Sequence, residues 1–362
     1  MKYIIFGFIK TQFNIRQVKG VVIMSNQKLQ HYKQSFVAQI IRKISPRIGA
    51  RALIEPEYGF VGMVQFKNGK RILFRDRNFN INPQGSSEIA RDKAYATFFL
   101  KYFQYSVPEG KTFFSKKMNA GVKIKRTIDD GYRYAQHIGF PVIVKPNNLS
   151  QGTLVTKVHN KTEYYSIARK IFKKVGVMIV ERFYSGNDYR IVVLDNEVIS
   201  AYQRIPLFVI GDGKLSIGAL LAKKQKKFNK IDRDTVIDLT DYRIRMKLKH
   251  EGYTLNSILS AGIKLFLLDN ANLSTGGEAV DVTEKLHSDF RKLAVRVTKD
   301  MGLRMCGVDI ITSGDINKPL TNYTIIEINS APGLDNYASI GRKQKEKVYE
   351  LYLKVLKALE IM

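Results

Sequence analysis

Two hairpin signatures and a later alternation of strands and helices constrain the fold of this chain most strongly. Residues 58–75 form two strand-like segments around Lys67-Asn68-Gly69-Lys70, and residues 190–205 form two more around Asp195-Asn196. Turns of this kind join antiparallel strands. The rest of the region between residues 127 and 329 alternates between helical segments (127–138, 161–174 and 288–301) and apolar strands (141–145, 177–182, 304–312 and 323–329). This mixture predicts an α+β fold built from lobes rather than one doubly wound parallel sheet.

Three more helices are predicted towards the two ends of the chain. Residues 28–45 and 86–104 have apolar side chains at helical spacing, and so do residues 342–360. The apolar stripe of the last helix is wide enough to pack against the rest of the protein. We therefore expect a small N-terminal region at 24–87, made of a helix and a hairpin, and a C-terminal docking helix at 341–362.

The first 23 residues are apolar, but Lys10, Arg16 and Lys19 interrupt them and no small-residue cleavage site follows, as a signal peptide would require. Met24 precedes a polar stretch, so one hypothesis is that translation starts there. A native peptide from upstream of Met24, detected by mass spectrometry, would contradict this hypothesis. No segment reaches the roughly 20 apolar residues that span a bilayer.

The composition sets broad limits on the class of protein. The chain has 362 residues, of which 44% are hydrophobic, enough for a buried core and for two or three domains or lobes. Its one cysteine, Cys306, cannot form an internal disulfide, which favours a cytoplasmic location. Cys306 lies in an apolar run, so we predict a buried side chain rather than a catalytic thiol.

The formal net charge is +28. A charge of this size favours polyanionic partners such as nucleic acid, an anionic membrane surface, an acidic peptide or ATP. The alternative is an ordinary solvated basic surface, because the charge is spread along most of the chain. Charge alone does not separate these interpretations.

The strongest local chemistry lies in two apolar strands near the C-terminus. Glu327 and Asn329 are two residues apart at the end of one strand, so their side chains face the same side, roughly 6.5–7 Å apart. Asp309 lies in another strand, and pairing of the two strands would bring it into the same cluster. Oxygen ligands of this kind suit Mg²⁺. The alternative is that Asp309 and Glu327 are structural carboxylates, which would require cationic partners because buried charges are costly unless paired.

Several motifs in a fixed order resemble the ATP-grasp superfamily over roughly residues 88–340. They are most similar to the ATP-grasp domains of cyanophycin synthetases and bifunctional glutathione synthetases, and more distantly to D-alanine–D-alanine ligases and RimK-type ligases. The resemblance implies two α+β lobes that clamp ATP, with a lid subdomain at about 127–185 and a C-terminal lobe at about 186–340. The motifs are Arg91-Asp92-Lys93, Val142 to Pro146, Val180 to Arg190, Arg204 to Gly213, Asn272 to Gly277 with Asp281 to Thr283, Gly307 to Asp309, and Glu327 to Gly333.

The resemblance also implies roles for individual side chains. Arg204 and Asn272 would act in catalysis, Arg204 by stabilising the transferring phosphate or acyl phosphate. Asp309, Glu327 and Asn329 would hold magnesium, with two ions expected and Mn²⁺ as an alternative metal. The residues expected to bind ATP are Lys93, Lys145, Ser150, Gln151, Gly152, Glu181, Arg182, Phe183, Asp188, Gly276 and Gly277.

The implied activity is that of an ATP-dependent carboxylate–amine ligase, which forms an amide through an acyl phosphate and releases ADP and phosphate. The substrates would be amino acids or short peptides, and a homodimer is one option for assembly. The alternatives are a basic nucleic-acid-binding protein, which the motifs make a poor match, and an inactive ATP-grasp-like binding module.

One basic stretch lies outside the motifs that resemble the ATP-grasp superfamily. Residues 223–249 are rich in lysine and arginine, beginning with Lys223-Lys224-Gln225-Lys226-Lys227. The stretch is either a solvated basic loop or a surface that gathers an acidic substrate.

Overall fold

A computed structural model describes residues 35–231, 233 and 235–362. The proposed start at Met24 and the first part of the helix predicted at 28–45 lie outside the described residues. The α+β class is confirmed, because the described residues combine helices with four antiparallel sheets.

The N-terminal region is a helix on a three-stranded meander. Helix α1 (Phe36–Ile44) is followed by β1 (Arg51–Ile54), β2 (Val61–Gln65) and β3 (Arg71–Arg75), which pair in that order. The predicted hairpin is confirmed as β2–β3, with Gly69 at φ 84° in its turn.

The single helix predicted at 86–104 is wrong. The structure has two helices there, α2 (Gln84–Arg91) and α3 (Lys93–Tyr102), separated by Asp92 in an extended conformation. The Asp92 carboxylate accepts a hydrogen bond from the backbone N–H of Tyr95 and caps α3. The break places Lys93 at the first position of a new helix.

A four-stranded sheet with order β4-β7-β5-β6 forms the next layer, and helices α5 and α6 pack on it around the buried Tyr164 and Ile167. The helices and the later strands agree closely with the predicted segments. The elements are β4 (Gly110–Phe114), α4 (Lys116–Gly121), α5 (Ile128–Ile138), β5 (Val142–Pro146), β6 (Thr156–Val158), α6 (Lys161–Phe172) and β7 (Val177–Arg182).

A five-stranded sheet with order β12-β9-β8-β13-β14 follows, interrupted in sequence by an insertion. One face of this sheet packs on α9. The other face carries polar side chains in one part and, in another, Val192, Leu194 and Tyr202, which pack into the core with the N-terminal region. The elements are β8 (Asn187–Leu194), β9 (Glu197–Ile205), β10 (Phe208–Ile210), α7 (Ile217–Lys230), α8 (Tyr242–His250), β11 (Lys264–Phe266), β12 (Glu278–Asp281), α9 (Ser288–Asp300), β13 (Met305–Thr312) and β14 (Thr324–Asn329).

The insertion contains most of the basic stretch 223–249, and the interpretation of that stretch as a loop is wrong. Helices α7 and α8 pack with the short β10–β11 pair around their own core, which includes Leu221, Phe228 and Leu248. The lysines on α7 lie on a helix whose other face is buried.

The chain ends in α10 (Asp335–Ala338) and α11 (Arg342–Ile361). The predicted docking of the last helix is confirmed: Leu351, Tyr352 and Leu356 are buried against α1 and the N-terminal sheet. Among the described residues, no helix combines the length and apolar character needed to cross a membrane.

Candidate active site

A cleft of about 630 Å³ lies between the four-stranded and five-stranded sheets. Its walls also include the start of α3, the loop 76–78 and the loop 147–155. Thirteen of the sixteen predicted site residues line it: Lys93, Lys145, Ser150, Gln151, Gly152, Glu181, Arg182, Phe183, Asp188, Arg204, Asn272, Glu327 and Asn329. Asp309, Gly276 and Gly277 do not.

The floor of the cleft is a row of side chains that cross-strand pairing places side by side. Arg190 on β8 is opposite Asp309 on β13, and Asp309 is opposite Glu327 on β14. The strands of Asp309 and Glu327 therefore pair, which is the condition that the sequence analysis set for Asp309 to join the cluster. Residues directly opposite in an antiparallel pair have neighbouring side chains, so this register alone brings one cation and two carboxylates together.

Asp309 is fully buried and bound to two arginines instead of facing the cleft. Its Oδ1 accepts from Arg190 Nε at 2.6 Å, its Oδ2 accepts from Arg190 Nη2 at 2.6 Å, and Arg204 Nη1 lies 2.9 Å from Oδ2. These are the cationic partners that a structural carboxylate requires. The structure thus gives Asp309 the arrangement expected of an orienting residue, and its role as a magnesium ligand stays a prediction.

The charges of this cluster shift the two acids in opposite directions. Burial alone would raise the pKa of Asp309, but the adjacent Arg190 and Arg204 together lower it. Burial raises the pKa of Asp188 to about 6, against the opposing effect of its partner Arg204 at 2.6 Å. Asp309 shares its charge with two guanidinium groups, whereas Asp188 contacts one, and this difference explains the opposite directions.

Glu327 and Asn329 are the predicted metal ligands that do line the cleft. The Glu327 side chain is 30% exposed, and its Oε1 lies 3.1 Å from Lys93 Nζ. Asn329 has a buried side-chain amide nitrogen without a hydrogen-bond partner. One carboxylate and one amide oxygen fit a cation that keeps most of its other ligands from water and phosphate, as Mg²⁺ does. The unpaired amide N–H of Asn329 is a donor, so it would serve an anion such as phosphate rather than the metal. Across the described ranges, no three His, Cys, Asp or Glu residues converge on a point where they could hold a metal.

Two lysines line the cleft. Lys145 on β5 is 6% exposed and its Nζ is 2.5 Å from Glu181 Oε1 on β7. Lys93 donates to the carbonyl of Leu149 at 2.9 Å in addition to its contact with Glu327. Lys93 thereby connects the loop 147–155 to the end of β14, which no sequence pattern predicted.

The loop 147–155 approaches the opposite wall closely at Gly152. Gly152 has φ 66°, and a Cβ there would lie 1.9 Å from Asn272 Nδ2 and 2.4 Å from Asn270 Nδ2. Its carbonyl accepts a hydrogen bond from Arg243 Nη1 on α8 at 2.7 Å. Glycine is required both by the backbone conformation and by the space.

The far end of the cleft is flat and partly aromatic. Phe183 lies under Lys157, whose Nζ is 3.8 Å from the ring centroid, and Arg182 pairs with Glu109 at 2.8 Å. Because Arg182 and Glu109 are both about half exposed, their contact contributes little to stability. An aromatic edge with neighbouring backbone groups suits a planar ring.

Gly276 and Gly277 shape the backbone and do not face the cleft. Gly276 has φ 100° and packs on Leu207. A Cβ on Gly277 would lie 2.7 Å from the carbonyl of Ile205 and 2.8 Å from that of Asn272. Both residues allow the turn that presents Asn272, and their contact with ATP stays a prediction.

Comparison with known proteins agrees with this architecture. The sequence model of the family described as "D-ala D-ala ligase C-terminus" matches residues 117–212, and that of the "RimK-like ATP-grasp domain" matches residues 269–350. The chain contains an ATP-grasp domain. Its fold is similar to the crystal structure of a bifunctional glutathione synthetase from Pasteurella multocida, with a TM-score of 0.55 and 23% identity over 89% of this chain and 44% of that one.

Curated relatives match this ATP-grasp domain at higher identity. The cyanophycin synthetase of Trichormus variabilis is 36% identical over 219 residues, 57% of this chain and 24% of that protein. The cyanophycin synthetase of Crocosphaera subtropica is 31% identical over 326 residues, 86% and 34% respectively. The glutathione biosynthesis bifunctional protein GshAB of Streptococcus mutans is 32% identical over 254 residues, 67% and 32%. The chain thus spans about a quarter to a third of the length of these relatives.

Three residues of the ATP-grasp cleft were given no individual role from the sequence. Arg77 and Asn270 come from loops, where no local sequence pattern indicates a role. Arg190 is the last residue of the motif Val180 to Arg190 and lines the cleft. It lies two residues after Asp188, so both side chains are on the same face of β8. That spacing was the one available indication of a role for Arg190. Cys306 is buried as predicted, and burial raises the pKa of its thiol to about 12, so a nucleophilic role is not supported.

Proposed function

We propose that this chain is an ATP-dependent ligase that joins a carboxylate to an amine through an acyl phosphate. The observation that carries the proposal is the convergence of Lys93, Lys145 and Arg204 on one cleft that also contains Glu327 and Asn329. Eight Lys and Arg side chains line the cleft against six Asp and Glu side chains, and this excess of positive charge suits a bound polyphosphate. A purely structural network would gain nothing from an open cleft of this volume.

Each cation would act by position and charge. Lys93 and Lys145 would neutralise phosphate oxygens, and their carboxylate partners hold them in place before nucleotide binds. Arg204 is held by Asp188 and Asp309, so its guanidinium needs little rearrangement to stabilise the negative charge that develops during phosphoryl transfer. Preorganised charge of this kind accelerates the reaction without a side-chain nucleophile.

Glu327 and Asn329 would hold magnesium at the end of β14, and the metal would supply charge neutralisation of the phosphate oxygens. Asp309 would act indirectly, by orienting the side chains of Arg190 and Arg204. The number of ions stays open in the proposal.

The loop 147–155 would cover the phosphates and exclude water from the acyl phosphate. Ser150, Gln151 and Gly152 form its tip in the cleft, opposite Asn272. Phe183 and the backbone at 182–183 would receive the adenine ring, and Asp188 the ribose. The substrates would be amino acids or short peptides, as the names of the relatives suggest for those proteins.

The test is a screen for ADP release with Mg²⁺, ATP, and single or paired amino acids and dipeptides. We expect release with at least one pair, and loss of at least about 100-fold in kcat/KM in the Lys145→Met variant, since charge stabilisation of this type commonly contributes 10²–10³. Lys174→Met, an exposed lysine at the end of α6, is the matched control. Full activity in Lys145→Met would refute the proposed role of the cleft, and no release with any pair would favour an inactive binding module.

A further inference from the structure

One arginine in the cleft is held in place but leaves its two terminal nitrogens unengaged. Arg77 lies in the loop between β3 and α2 and lines the cleft, with 34% of its side chain exposed. Its Nε donates to Asp76 Oδ2 at 3.1 Å, and Asp76 Oδ1 in turn accepts from Ser35 Oγ at 2.6 Å. Within the described part of the chain, neither Nη1 nor Nη2 of Arg77 has a protein acceptor.

The other arginines that line the cleft are already bound to protein groups through these nitrogens. Each contact is short: Arg91 binds Glu88 and Asn78 at 2.9 Å, Arg182 binds Glu109 at 2.8 Å, Arg190 binds Asp309 at 2.6 Å, and Arg204 binds Asp188 at 2.6 Å. Arg77 therefore differs from them in presenting a free fork of N–H donors. A guanidinium whose Nε is fixed has lost much of its freedom before a ligand arrives.

The position of Arg77 is fixed relative to the end of β14, which carries Glu327 and Asn329. A Cβ on Gly333 would lie 2.1 Å from Arg77 Nη1, so the guanidinium sits directly against the loop that follows Asn329. Asn82, in the same connection, donates from Nδ2 to the carbonyls of Met305 and Ser330, both at 2.8 Å. The connection that carries Arg77 is thus fastened to β13 and to the end of β14.

The charges near Arg77 favour one kind of anion over another. Asp76 and Asp335 both act on its guanidinium, and Asp335 lines the cleft. Free N–H donors beside two acidic side chains suit a zwitterion, whose carboxylate meets Arg77 while its ammonium group lies near the acidic side chains.

We infer that Arg77 binds the α-carboxylate of the amino-acid or peptide substrate at a position distinct from the carboxylate that is activated. The inference rests on the proposed ligase function. A planar guanidinium holds a carboxylate through two parallel hydrogen bonds. Both oxygens of that carboxylate are then occupied, so it serves recognition, and a second group of the substrate reacts. Arg77 is in this sense a specificity-determining residue contributed by the N-terminal region.

The probes are the twenty protein L-amino acids and their carboxamides, tested for ADP release in the presence of MgATP. We expect wild type to use an active amino acid at least tenfold better than its carboxamide. Arg77→Gln raises the KM for the acid at least tenfold, leaves the KM for ATP within twofold, and no longer distinguishes acid from amide. Arg77→Lys keeps the charge but not the fork, so it gives an intermediate KM. Arg75→Gln, an exposed arginine on β3, behaves as wild type.

A binding measurement separates this inference from the catalytic proposal. Saturation-transfer NMR with the same amino acids reports binding whether or not ADP is released. Signals that persist in Arg75→Gln and disappear in Arg77→Gln support the inference, provided that both variants unfold at the wild-type temperature. If Arg77→Gln is unstable, the signals of Arg77→Lys are compared with those of Arg75→Gln instead. Equal signals in wild type and the Arg77 variants, or an amide that binds as well as the acid, overturn it, and so does a wild type that binds none of the probes.

Discussion

Arg190 and Asp309 face each other across β8 and β13 and are joined by two parallel hydrogen bonds of 2.6 Å. Asp309 is fully buried, and Arg204 on β9 adds a third contact. One carboxylate therefore fixes the orientation of two guanidinium groups beneath the cleft. This relationship changes what a substitution of Asp309 would reveal.

We expect Asp309→Asn to destabilise the protein even without metal or nucleotide. Removing one partner of a buried ion pair leaves uncompensated charge and typically costs about 3–5 kcal/mol. Urea unfolding in EDTA measures the change. Glu327→Gln is the comparison: its side chain is partly exposed and pairs with Lys93, so we expect about 1 kcal/mol or less. A stability loss in Asp309→Asn that appears only with Mg²⁺ would restore the sequence-based interpretation of Asp309 as a metal ligand.

Asp281 should contribute stability that is lost in acid. Its carboxylate accepts hydrogen bonds from Thr283, Tyr337 and Gln344, which join β12 to α10 and α11. Burial opposes ionisation, but these hydrogen bonds prevail and lower the pKa of Asp281 to about 2. Because the folded pKa lies below the unfolded value near 3.8, the contribution is present above pH 4 and is lost as the pH falls from about 4 to about 2.

The matching experiment compares Asp281→Asn with wild type by chemical unfolding at several pH values. We expect a loss of about 1–3 kcal/mol at pH 7, typical of hydrogen bonds to a charged group. The two proteins should converge as the pH approaches 2. Glu284→Gln, an exposed neighbour, is the control. A difference that stays constant down to pH 2 would contradict this account.

Arg243 should help to keep the loop 147–155 closed. It donates to the carbonyl of Gly152 at 2.7 Å from a side chain that is 12% exposed. Loss of one charged hydrogen bond of about 1.4 kcal/mol corresponds to a tenfold weaker affinity. We therefore expect Arg243→Gln to raise the Kd of a non-hydrolysable ATP analogue about tenfold, measured by calorimetry. Arg245→Gln, an exposed residue of the same helix, should bind as wild type; an unchanged Kd in Arg243→Gln would exclude the closing role.

The basic helix α7 carries lysines in two different environments. Lys223, Lys226 and Lys227 are exposed on one side of the helix, whereas Lys224 binds Glu278 at 2.7 Å and lies 4.0 Å from the centroid of Phe208. If the exposed group gathers an acidic substrate, replacing those three lysines with glutamine raises the KM for Asp- or Glu-containing peptides and spares the KM for ATP.

Salt provides the control for that prediction. The difference in KM should shrink at high ionic strength, because the Debye length falls to about 3 Å at 1 M salt. Neutral peptides should be unaffected at any salt concentration. Lys224→Gln should instead lower the unfolding temperature, since it removes a partly buried contact. Equal KM values in the triple variant and wild type would leave the surface as an ordinary solvated face.

Local sequence patterns predicted most of the elements and the order of the site motifs, because hydrophobic periodicity and turn residues act over a few neighbours. They predicted that Glu327 and Asn329 share a face, whereas the pairing of the Asp309 strand beside theirs was a condition that the sequence left open. The prediction of one helix at 86–104 was wrong at Asp92. There the Asp92 side chain caps a new helix although the apolar pattern continues, and Lys93 becomes the first residue of that helix.

The sequence by itself therefore determined the fold class, the segments that form the cleft and the residue types available there. Only the tertiary structure decided which charges pair. Arg190 and Arg204 bind Asp309 because the strands β9, β8 and β13 lie side by side, although their residues are more than 100 positions apart in the chain. The two terminal nitrogens of Arg77 lack an acceptor among the described residues for the same reason, since the loop that carries Arg77 packs beside Gly333, which has no side chain to accept from them. Pairing across such separations depends on the packing of whole sheets, which no local pattern specifies.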